Sequence, residues 1–214
     1  REFYVDCKGM VWLGTMKGLY IFDPATNTMT EYKHSATNAS SLPNNSVWKI
    51  YEDRQGNVWI GTYSGKLCMW NGYEGNALQA YLRGNSGLNC VPVSAFAEEE
   101  DYLWIGTEGG GVNWMDKRTG KFGLLAGNVV SNHVKSLIID GRHNLWVSMF
   151  RGGIEIFDAR HKEMAHYVCN RGETEELLVN DVRKTVLEGD SGLWVAYQYS
   201  SPKVSYLSFG KKVF

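Results

Sequence analysis

The chain has 214 residues, of which 43% are apolar and 21% are charged, and these proportions are typical of a folded globular segment with a buried core. The formal net charge of −1 and the pI near 6.6 give no electrostatic reason to expect binding of nucleic acid or of an anionic membrane surface. The 24 glycines and the 13% aromatic residues favour a structure with many turns and strands.

The first residues, REFYVDCKG, contain neither an initiator methionine nor the apolar stretch of a signal peptide. No apolar run approaches the ~20 residues that a membrane-spanning helix needs. We therefore expect the chain to be part of a longer protein, with membrane attachment only through other regions of that parent.

A tryptophan phrase recurs along the chain, and its period predicts the architecture. Five tryptophans stand 47, 45, 42 and 48 residues apart, close to the length of a four-stranded propeller blade: Trp12, Trp59, Trp104, Trp146 and Trp194. We predict an all-β propeller segment, a single domain over 1–214, with five four-stranded antiparallel blades and negligible helix. The blades are expected at roughly 1–45, 46–92, 93–132, 133–181 and 182–214.

Each repeat begins with an alternating run rich in β-branched residues, such as SVWKIYED at 46–53, which predicts the inner strand. A tight turn follows, as in DRQGN at 53–57. There the carboxylate of Asp53 can accept amide hydrogens of the turn, and Gly56 can adopt the positive φ that the turn requires.

The phrase GNVWIGT at 56–62 predicts the second strand. Along a strand Trp59 and Gly61 point to one face, so a wide indole lies beside a position that has no side chain. We expect a neighbouring blade to fill that gap. In the last two repeats, LWVSM and LWVAY lack the glycine, and packing there is expected to differ in detail. A third strand, as in KGLYIFD at 17–23, and a fourth complete the unit.

Residues 41–71, SLPNNSVWKIYEDRQGNVWIGTYSGKLCMWN, resemble the two-component regulator propeller repeat. The family pattern has a D-x-x-G-N-L-W-I-G-T core, a G-L-x-x-[FY]-D third strand and an S-L-P-N-N-S-V start, and the similarity covers essentially the whole chain. Such repeats form seven-bladed propellers in the sensor region of hybrid two-component histidine kinases of gut bacteria. The resemblance implies a fragment of such a ring, in a periplasmic glycan sensor whose inner-membrane parent carries the kinase and response-regulator domains elsewhere.

The chain starts on a predicted innermost strand and ends on a predicted outermost one, so we expect an incomplete ring. The first and last blades would then expose apolar faces larger than a soluble monomer usually tolerates. We expect self-association through propeller faces or open blade edges, or alternatively a compact five-blade arrangement.

Other motifs are assigned to ordinary structure. GDSG at 189–192 and EGGGV at 108–112 are expected to be turns, and not a serine-protease nucleophile or a phosphate loop. The acidic run AEEEDY at 97–102 is expected to be a solvated hairpin. No metal site or cofactor is predicted, although His161 and His166 are expected to lie close together. The cysteines lack metal-binding spacing and are expected to be buried thiols: Cys7, Cys68, Cys90 and Cys169.

Two function classes, with a third behind them, agree with these features. The first is a non-catalytic ligand-binding module of a sensor, since no constellation suited to acid-base or nucleophilic catalysis is visible. The rival is a glycosidase or lyase of propeller fold, because DRQGNVW resembles the sialidase Asp box, S-x-D-x-G-x-T-W. A glycosidase would also need clustered arginines or paired carboxylates on the central axis. The third is a purely structural or dimerisation propeller.

The predicted binding surface lies at the top of the blades. One group of residues follows the first valine of successive inner strands, where residue type varies between repeats: Trp48, Ser94, Lys135 and Arg183. A second group is expected to emerge on the same face in the turns between second and third strands: Tyr63, Glu108, Phe150, Arg151, Tyr197 and Tyr199. Aromatic rings with a few charged hydrogen-bonding groups suit a sugar. We expect an oligosaccharide, acidic in view of Lys135, Arg151 and Arg183, to bind there without being cleaved.

Overall fold

The computed structural model describes residues 1–63, 67–71, 77–81, 92–125, 129–169, 177–199 and 203–209. These residues form strands, turns and bends with no helix, and the strands assemble into five antiparallel sheets, which confirms the predicted all-β blades. The chain divides into two compact units, Arg1–Ser94 and Ala95–Phe214. The predicted single domain and its blade boundaries stay predictions.

Two four-stranded sheets, blades 1 and 2, lie in the first unit. Their strands follow chain order from one edge to the other. Blade 1 consists of β1 (Glu2–Val5), β2 (Val11–Gly14), β3 (Leu19–Asp23) and β4 (Thr28–Tyr32). Blade 2 consists of β5 (Val47–Glu52), β6 (Val58–Thr62), β7 (Leu67–Asn71) and β8 (Ala77–Tyr81).

The remaining three sheets are blades 3, 4 and 5. Blade 3 consists of β9 (Val93–Glu98), β10 (Tyr102–Thr107), β11 (Val112–Asp116) and β12 (Phe122–Leu124). Blade 4 consists of β13 (Val134–Ile139), β14 (Leu145–Met149), β15 (Gly153–Phe157) and β16 (Glu163–Tyr167). Blade 5 consists of β17 (Val182–Glu188), β18 (Gly192–Tyr197) and β19 (Val204–Ser208). The fourth strand expected at the end of blade 5 would fall on 210–214, outside the described residues.

The predicted aspartate turn is confirmed between the first and second strands. In blade 2 one oxygen of Asp53 accepts the amide hydrogens of Gln55 and Asn57 at 3.0 and 2.9 Å, and the other accepts Nε1–H of Trp59 at 2.8 Å. The hydrogen bond from the indole N–H to the aspartate recurs in blade 1, from Trp12 to Asp6 at 2.8 Å, and in blade 4, from Trp146 to Asp140 at 2.9 Å. The aspartate therefore holds the turn and the indole at once: Asp6, Asp53 and Asp140.

Blade 3 reaches the same result with a glutamate from the acidic run. Glu99 accepts Nε1–H of Trp104 at 2.9 Å, and Glu98 is buried and paired with Lys117 at 2.7 Å. The expectation of a solvated hairpin is therefore wrong for these two side chains, because each has a fixed donor. His161 packs edge-on against Trp104, and His166 instead contacts the carbonyl of Gly152, so these histidines are not partners.

The gap left by the glycine of the tryptophan phrase is filled as predicted. A Cβ atom at Gly14 would lie 2.8 Å from Cγ1 of Val47, which begins the inner strand of the next blade. A Cβ atom at Gly106 would lie 2.6 Å from Cγ1 of Val134 in the same way. Real Cβ atoms do not approach so closely, so the contact requires glycine at these places. In blade 4 Ser148 replaces it and hydrogen-bonds Thr185 of blade 5 across 3.0 Å, which confirms that packing there differs.

The cores lie between successive blades of each unit. Between blades 1 and 2, Trp12 and Ile21 pack against Ile50, Ile60 and Cys68. The burial of Cys68 raises the pKa of its thiol. Cys7 is exposed, contrary to the expectation of buried thiols, because it lies in the first aspartate turn; Cys90 lies outside the described residues.

Candidate functional site

Three of the four residues predicted to follow an inner-strand valine lie on β-bulges. The pairing of first and second strands shifts between Val47 and Lys49 in blade 2, and the equivalent shift recurs in blades 4 and 5. The extra residues at these shifts are Trp48, Lys135 and Arg183. A bulge breaks the alternation of a strand and re-aims the side chain that it carries. The sequence analysis predicted these three residues as site candidates, but it did not predict the β-bulges on which they lie.

In the first unit Trp48 forms an aromatic pair with Tyr63. Their ring centroids are 5.5 Å apart, and the guanidinium carbon of Arg1 lies 5.0 Å from the Trp48 ring. Tyr63 is exposed, while Nε1–H of Trp48 is buried and has no hydrogen-bond partner among the described residues. The pair thus offers one accessible aromatic ring, that of Tyr63.

In the second unit a larger group is centred on Phe150. Lys135 forms an ion pair with Glu108, and its Nζ lies 5.5 Å from the centroid of the Phe150 ring. The guanidinium carbon of Arg151 lies 5.1 Å from the same ring. The ring of Tyr199 meets Phe150 edge-on at 6.5 Å, and Tyr199 is 74% exposed. The structure therefore brings together five of the predicted residues, which we call the Phe150 group: Glu108, Lys135, Phe150, Arg151 and Tyr199.

Arg151 has an unusual backbone for its residue type. Its φ is +58°, and in the matching turn of blade 3 the residue after Glu108 is Gly109, with φ +114°. A left-handed conformation costs a non-glycine residue on the order of 1 kcal/mol or more. The N–H of Arg151 is held at 3.2 Å by Oδ1 of Asp181, and its side chain is exposed. Blade 4 therefore places an exposed cation where a glycine would fit the backbone with less strain.

Two further predicted residues behave differently from the Phe150 group. Tyr197 is only 4% exposed and shares a 2.7 Å hydrogen bond with Ser205 inside blade 5. The expectation that Tyr197 emerges on the surface is therefore wrong, because it lies on the regular strand β18 before the turn begins. Arg183 is exposed on its bulge and makes no ion pair with a described residue. Ser94 is half-buried on β9.

A buried carboxylate was missed by the sequence prediction. Glu155 on β15 is 1% exposed; Oε1 accepts the N–H of Val130 at 3.1 Å, and Oε2 has no hydrogen-bond partner in the part of the chain that the structure describes. Burial raises the pKa of Glu155. The sequence does contain an indication of this residue, since the charged Glu155 interrupts the apolar phrase GGIEIF. Among the described residues no three His, Cys, Asp or Glu side chains are grouped to hold a metal ion.

Antiparallel sheets recur along the chain, with an aspartate turn and a buried tryptophan in blades 1, 2 and 4 and a glycine gap filled by the next blade in blades 1 and 3. Such repeated sheets define a β-propeller segment. Residues 41–64 match the family model described as two component regulator propeller. The matched residues include β5 and β6 of blade 2. No curated protein matches the sequence. Within the described residues no helix has the length and apolarity needed to cross a membrane.

Two solved structures with this fold come from one organism. The extracellular domain of the hybrid two component system BT3049 from B. thetaiotaomicron has a TM-score of 0.80 and 18% identity, over 100% of this chain and 28% of that chain. The corresponding domain of BT4673 has a TM-score of 0.79 and 22% identity, over 96% of this chain and 26% of that chain. The present chain thus spans little more than a quarter of either relative.

A third similar structure is an enzyme. Virginiamycin B lyase from Staphylococcus aureus has a TM-score of 0.67 and 13% identity, over 96% of this chain and 68% of that chain. At these identities the similarity of all three structures shows the fold alone.

Proposed function

We propose that this chain is a non-catalytic ligand-sensing propeller of a two-component signalling receptor, located in the periplasm as part of an inner-membrane protein. The family match at 41–64 and the two extracellular domains of hybrid two-component systems support this proposal. In such a receptor the propeller contributes ligand recognition, and the catalytic domains lie elsewhere in the parent.

The proposed ligand is an oligosaccharide, and the Phe150 group is the observation that carries it. The exposed ring of Tyr199 offers a surface for the C–H face of a pyranose. Arg151 supplies donors and Glu108 supplies acceptors for hydroxyl groups within the same contact network. Trp48 and Tyr63 provide a second aromatic contact of the same kind in the first unit.

The charges of this surface favour an acidic sugar, and the cations that would bind it are Arg151 and Arg183 rather than Lys135. The charge of Lys135 is compensated by Glu108, so Lys135 serves mainly to order the group. Arg151 and Arg183 are exposed, and neither has an ion-pair partner among the described residues. A guanidinium can bind a carboxylate through two parallel hydrogen bonds, so a uronic acid would suit these arginines.

The left-handed backbone of Arg151 agrees with a binding role, because such conformations cluster at functional sites, but His143 shares this backbone in an ordinary turn. The exposed position of the Arg151 guanidinium beside Phe150 therefore carries the argument. The lyase alternative has only the shared fold in its favour, and no described residue pair favours the cleavage chemistry of a glycosidase over binding.

The experiment is titration calorimetry of the folded chain with a panel of neutral and uronic acid-containing oligosaccharides. Replacing Arg151 by glycine is expected to weaken binding of the acidic ligand about tenfold or more, because charge-assisted hydrogen bonds contribute ~1.5–3 kcal/mol. The matched control is His143→Gly, which relieves a similar left-handed backbone, φ +63°, in the aspartate turn of blade 4.

The control is expected to bind as the wild type does, and both variants are expected to keep or gain stability. Tyr199→Ala and Arg183→Ala should each weaken binding by at least ~1 kcal/mol if they contact the ligand. Wild-type affinity in both Arg151→Gly and Tyr199→Ala would exclude the Phe150 group as the binding site, and wild-type affinity in Arg183→Ala would exclude a contact with Arg183. Release of cleaved products from any ligand would favour the enzyme alternative.

A further inference from the structure

The turn between β14 and β15 carries both Phe150 and Arg151, and its backbone is held from two sides. On the first side lies the connection that precedes blade 4. There the carbonyl of His133 accepts the N–H of Phe150 at 2.9 Å, and the hydroxyl of Ser131 donates to the carbonyl of Phe150 at 2.7 Å. These bonds fix Phe150, and the N–H of Arg151 is held from the second side.

Asp181, the residue before the first valine of blade 5, forms that second side. Its Oδ1 accepts the N–H of Arg151 at 3.2 Å, and its main-chain carbonyl accepts the N–H of Gln198 at 3.0 Å. Gln198 directly precedes Tyr199, the exposed ring of the Phe150 group. Asp181 therefore contacts the turn of Arg151 through its side chain and the turn of Tyr199 through its backbone.

The equivalent turn of blade 3 is held differently. There the main-chain carbonyl of Asn132 accepts the N–H groups of Gly109 and Gly111 at 2.8 and 3.0 Å. Gly109 has a φ of +114°, which glycine adopts without steric cost. In blade 4 the left-handed residue is Arg151, and a carboxylate holds its N–H. The side-chain contact thus occurs where the left-handed residue carries a charged side chain.

The backbone angles of Arg151 determine where its guanidinium lies. With φ at +58°, the guanidinium carbon lies 5.1 Å from the centroid of the Phe150 ring, and the side chain is exposed. Without the carboxylate of Asp181, the N–H loses this acceptor, and the turn is free to relax towards the right-handed region that arginine prefers. The direction of the Cα–Cβ bond changes with φ, so the guanidinium would then spread over more positions.

We propose that Asp181 is a positioning residue that gives the Phe150 group its preference for acidic over neutral sugars by holding Arg151 in place. This inference rests on the proposed function, because it takes Arg151 as the group that binds the ligand carboxylate. An ordered guanidinium loses less conformational entropy when it forms two parallel hydrogen bonds with a carboxylate. A neutral sugar has no carboxylate and gains less from the same order.

The charge of Asp181 alone would have the opposite effect. A carboxylate beside the site repels an acidic ligand, so removing it would strengthen binding if Asp181 acted only through its charge. The positioning role predicts weaker binding when the oxygen acceptor is removed. Alanine removes both the charge and the acceptor, whereas asparagine removes the charge and keeps an oxygen acceptor. Asp181→Ala and Asp181→Asn therefore separate the two effects.

The first measurement is hydrogen exchange of the Arg151 amide, followed by NMR without ligand. Exchange is expected to be about threefold faster or more in Asp181→Ala than in the wild type, and close to wild type in Asp181→Asn, because only alanine removes the acceptor. The internal control is the amide of Gln198, whose acceptor is the main-chain carbonyl of Asp181 and is kept in both variants. Equal exchange at Arg151 in the wild type and in Asp181→Ala would overturn the proposal.

The second measurement is an NMR titration with glucuronate, and with glucose as the neutral probe. Asp181→Ala is expected to bind glucuronate about threefold more weakly or worse, since the guanidinium must be ordered on binding. Asp181→Asn is expected to bind it at least as tightly as the wild type does. The signals of Tyr199 should respond to glucose alike in all three proteins.

The outcomes separate this inference from the proposed function. Unchanged or tighter binding of glucuronate by Asp181→Ala, or an equal loss in Asp181→Asn, would overturn the positioning role. If the wild type does not bind glucuronate although exchange at Arg151 behaves as expected, the acidic ligand of the proposed function is contradicted, and the part of Asp181 in specificity falls with it.

Discussion

At the scale of single residues, one carboxylate organises each turn between first and second strands. Asp140 accepts the amide hydrogens of Arg142 and Asn144 at 2.9 and 2.8 Å through one oxygen, and the indole of Trp146 through the other. Partial burial alone would raise the pKa of Asp140, but the hydrogen bonds from Trp146 and Asn144 outweigh it and lower the pKa. Ionised Asp140 therefore stabilises the folded state.

Asp140→Asn is expected to lower the free energy of unfolding at neutral pH by ~1 kcal/mol, because a charged acceptor of several hydrogen bonds is lost. The wild-type contribution is present above the ordinary aspartate pKa and is lost as pH falls through the depressed folded value. The difference between wild type and variant in urea unfolding should therefore shrink below about pH 4. Asp158→Asn is the control, since Asp158 accepts backbone amides in an exposed turn and holds no indole. An equal loss in the control would contradict the part assigned to the indole bond.

The opposite pH dependence is expected of Glu155. Its folded pKa is raised, so the folded state favours the protonated form, and the stability of the wild type falls as pH rises from the ordinary glutamate pKa through the raised value. Glu155→Gln mimics the neutral form and should gain stability relative to wild type as pH rises above the ordinary glutamate pKa. Urea unfolding at several pH values measures this trend. A constant difference across those pH values would show that Glu155 does not titrate differently in the folded state.

At the scale of strands and turns, blade packing depends on a residue without a side chain. Gly106→Ala should destabilise the second unit by about 1–3 kcal/mol, because the added Cβ would overlap Val134. Adding Val134→Ala should recover part of the loss, since the methyl groups that meet the new Cβ are then absent. Thermal unfolding of both variants measures the effect. Additive losses in the double variant would show that this contact is not the cause.

The sequence predicted these elements well where one physical rule acts at a time. Strand alternation, the aspartate turn and the glycine gap each follow from local geometry, and all three are observed. The bulges at Trp48 and Lys135 were not predicted because strict alternation was assumed. Inward-facing residues there are three apart, as in Val47 and Ile50, and this spacing marks a bulge in the sequence itself.

The site was harder to predict because side-chain exposure depends on partners from other parts of the chain. Phe150 and Arg151 could be placed in a turn, but their grouping with Lys135 and Tyr199 depends on how blades 3, 4 and 5 pack. Tyr197 differs from Tyr199 by two positions, yet the end of β18 between them separates a buried ring from an exposed one. Exposure near a strand end therefore cannot be assigned from sequence spacing alone.

At the scale of the whole molecule, the glycine that receives the next valine bears on how such a chain can lengthen. The segment from the first valine of a blade to its glycine contains both the side chain that fills the gap of the preceding blade and the gap that accepts the next valine. A duplicated copy of that segment would therefore pack beside the original without any new mutation. Blades 4 and 5 depart from this rule, because Ser148 replaces the glycine in blade 4 and hydrogen-bonds the hydroxyl of Thr185 in blade 5. A blade with an apolar residue in place of Thr185 would leave the hydroxyl of Ser148 buried without that partner, at a cost of about 1–3 kcal/mol. Ser148 therefore favours blade 5 as the next blade, whereas a glycine gap accepts any blade that begins with valine.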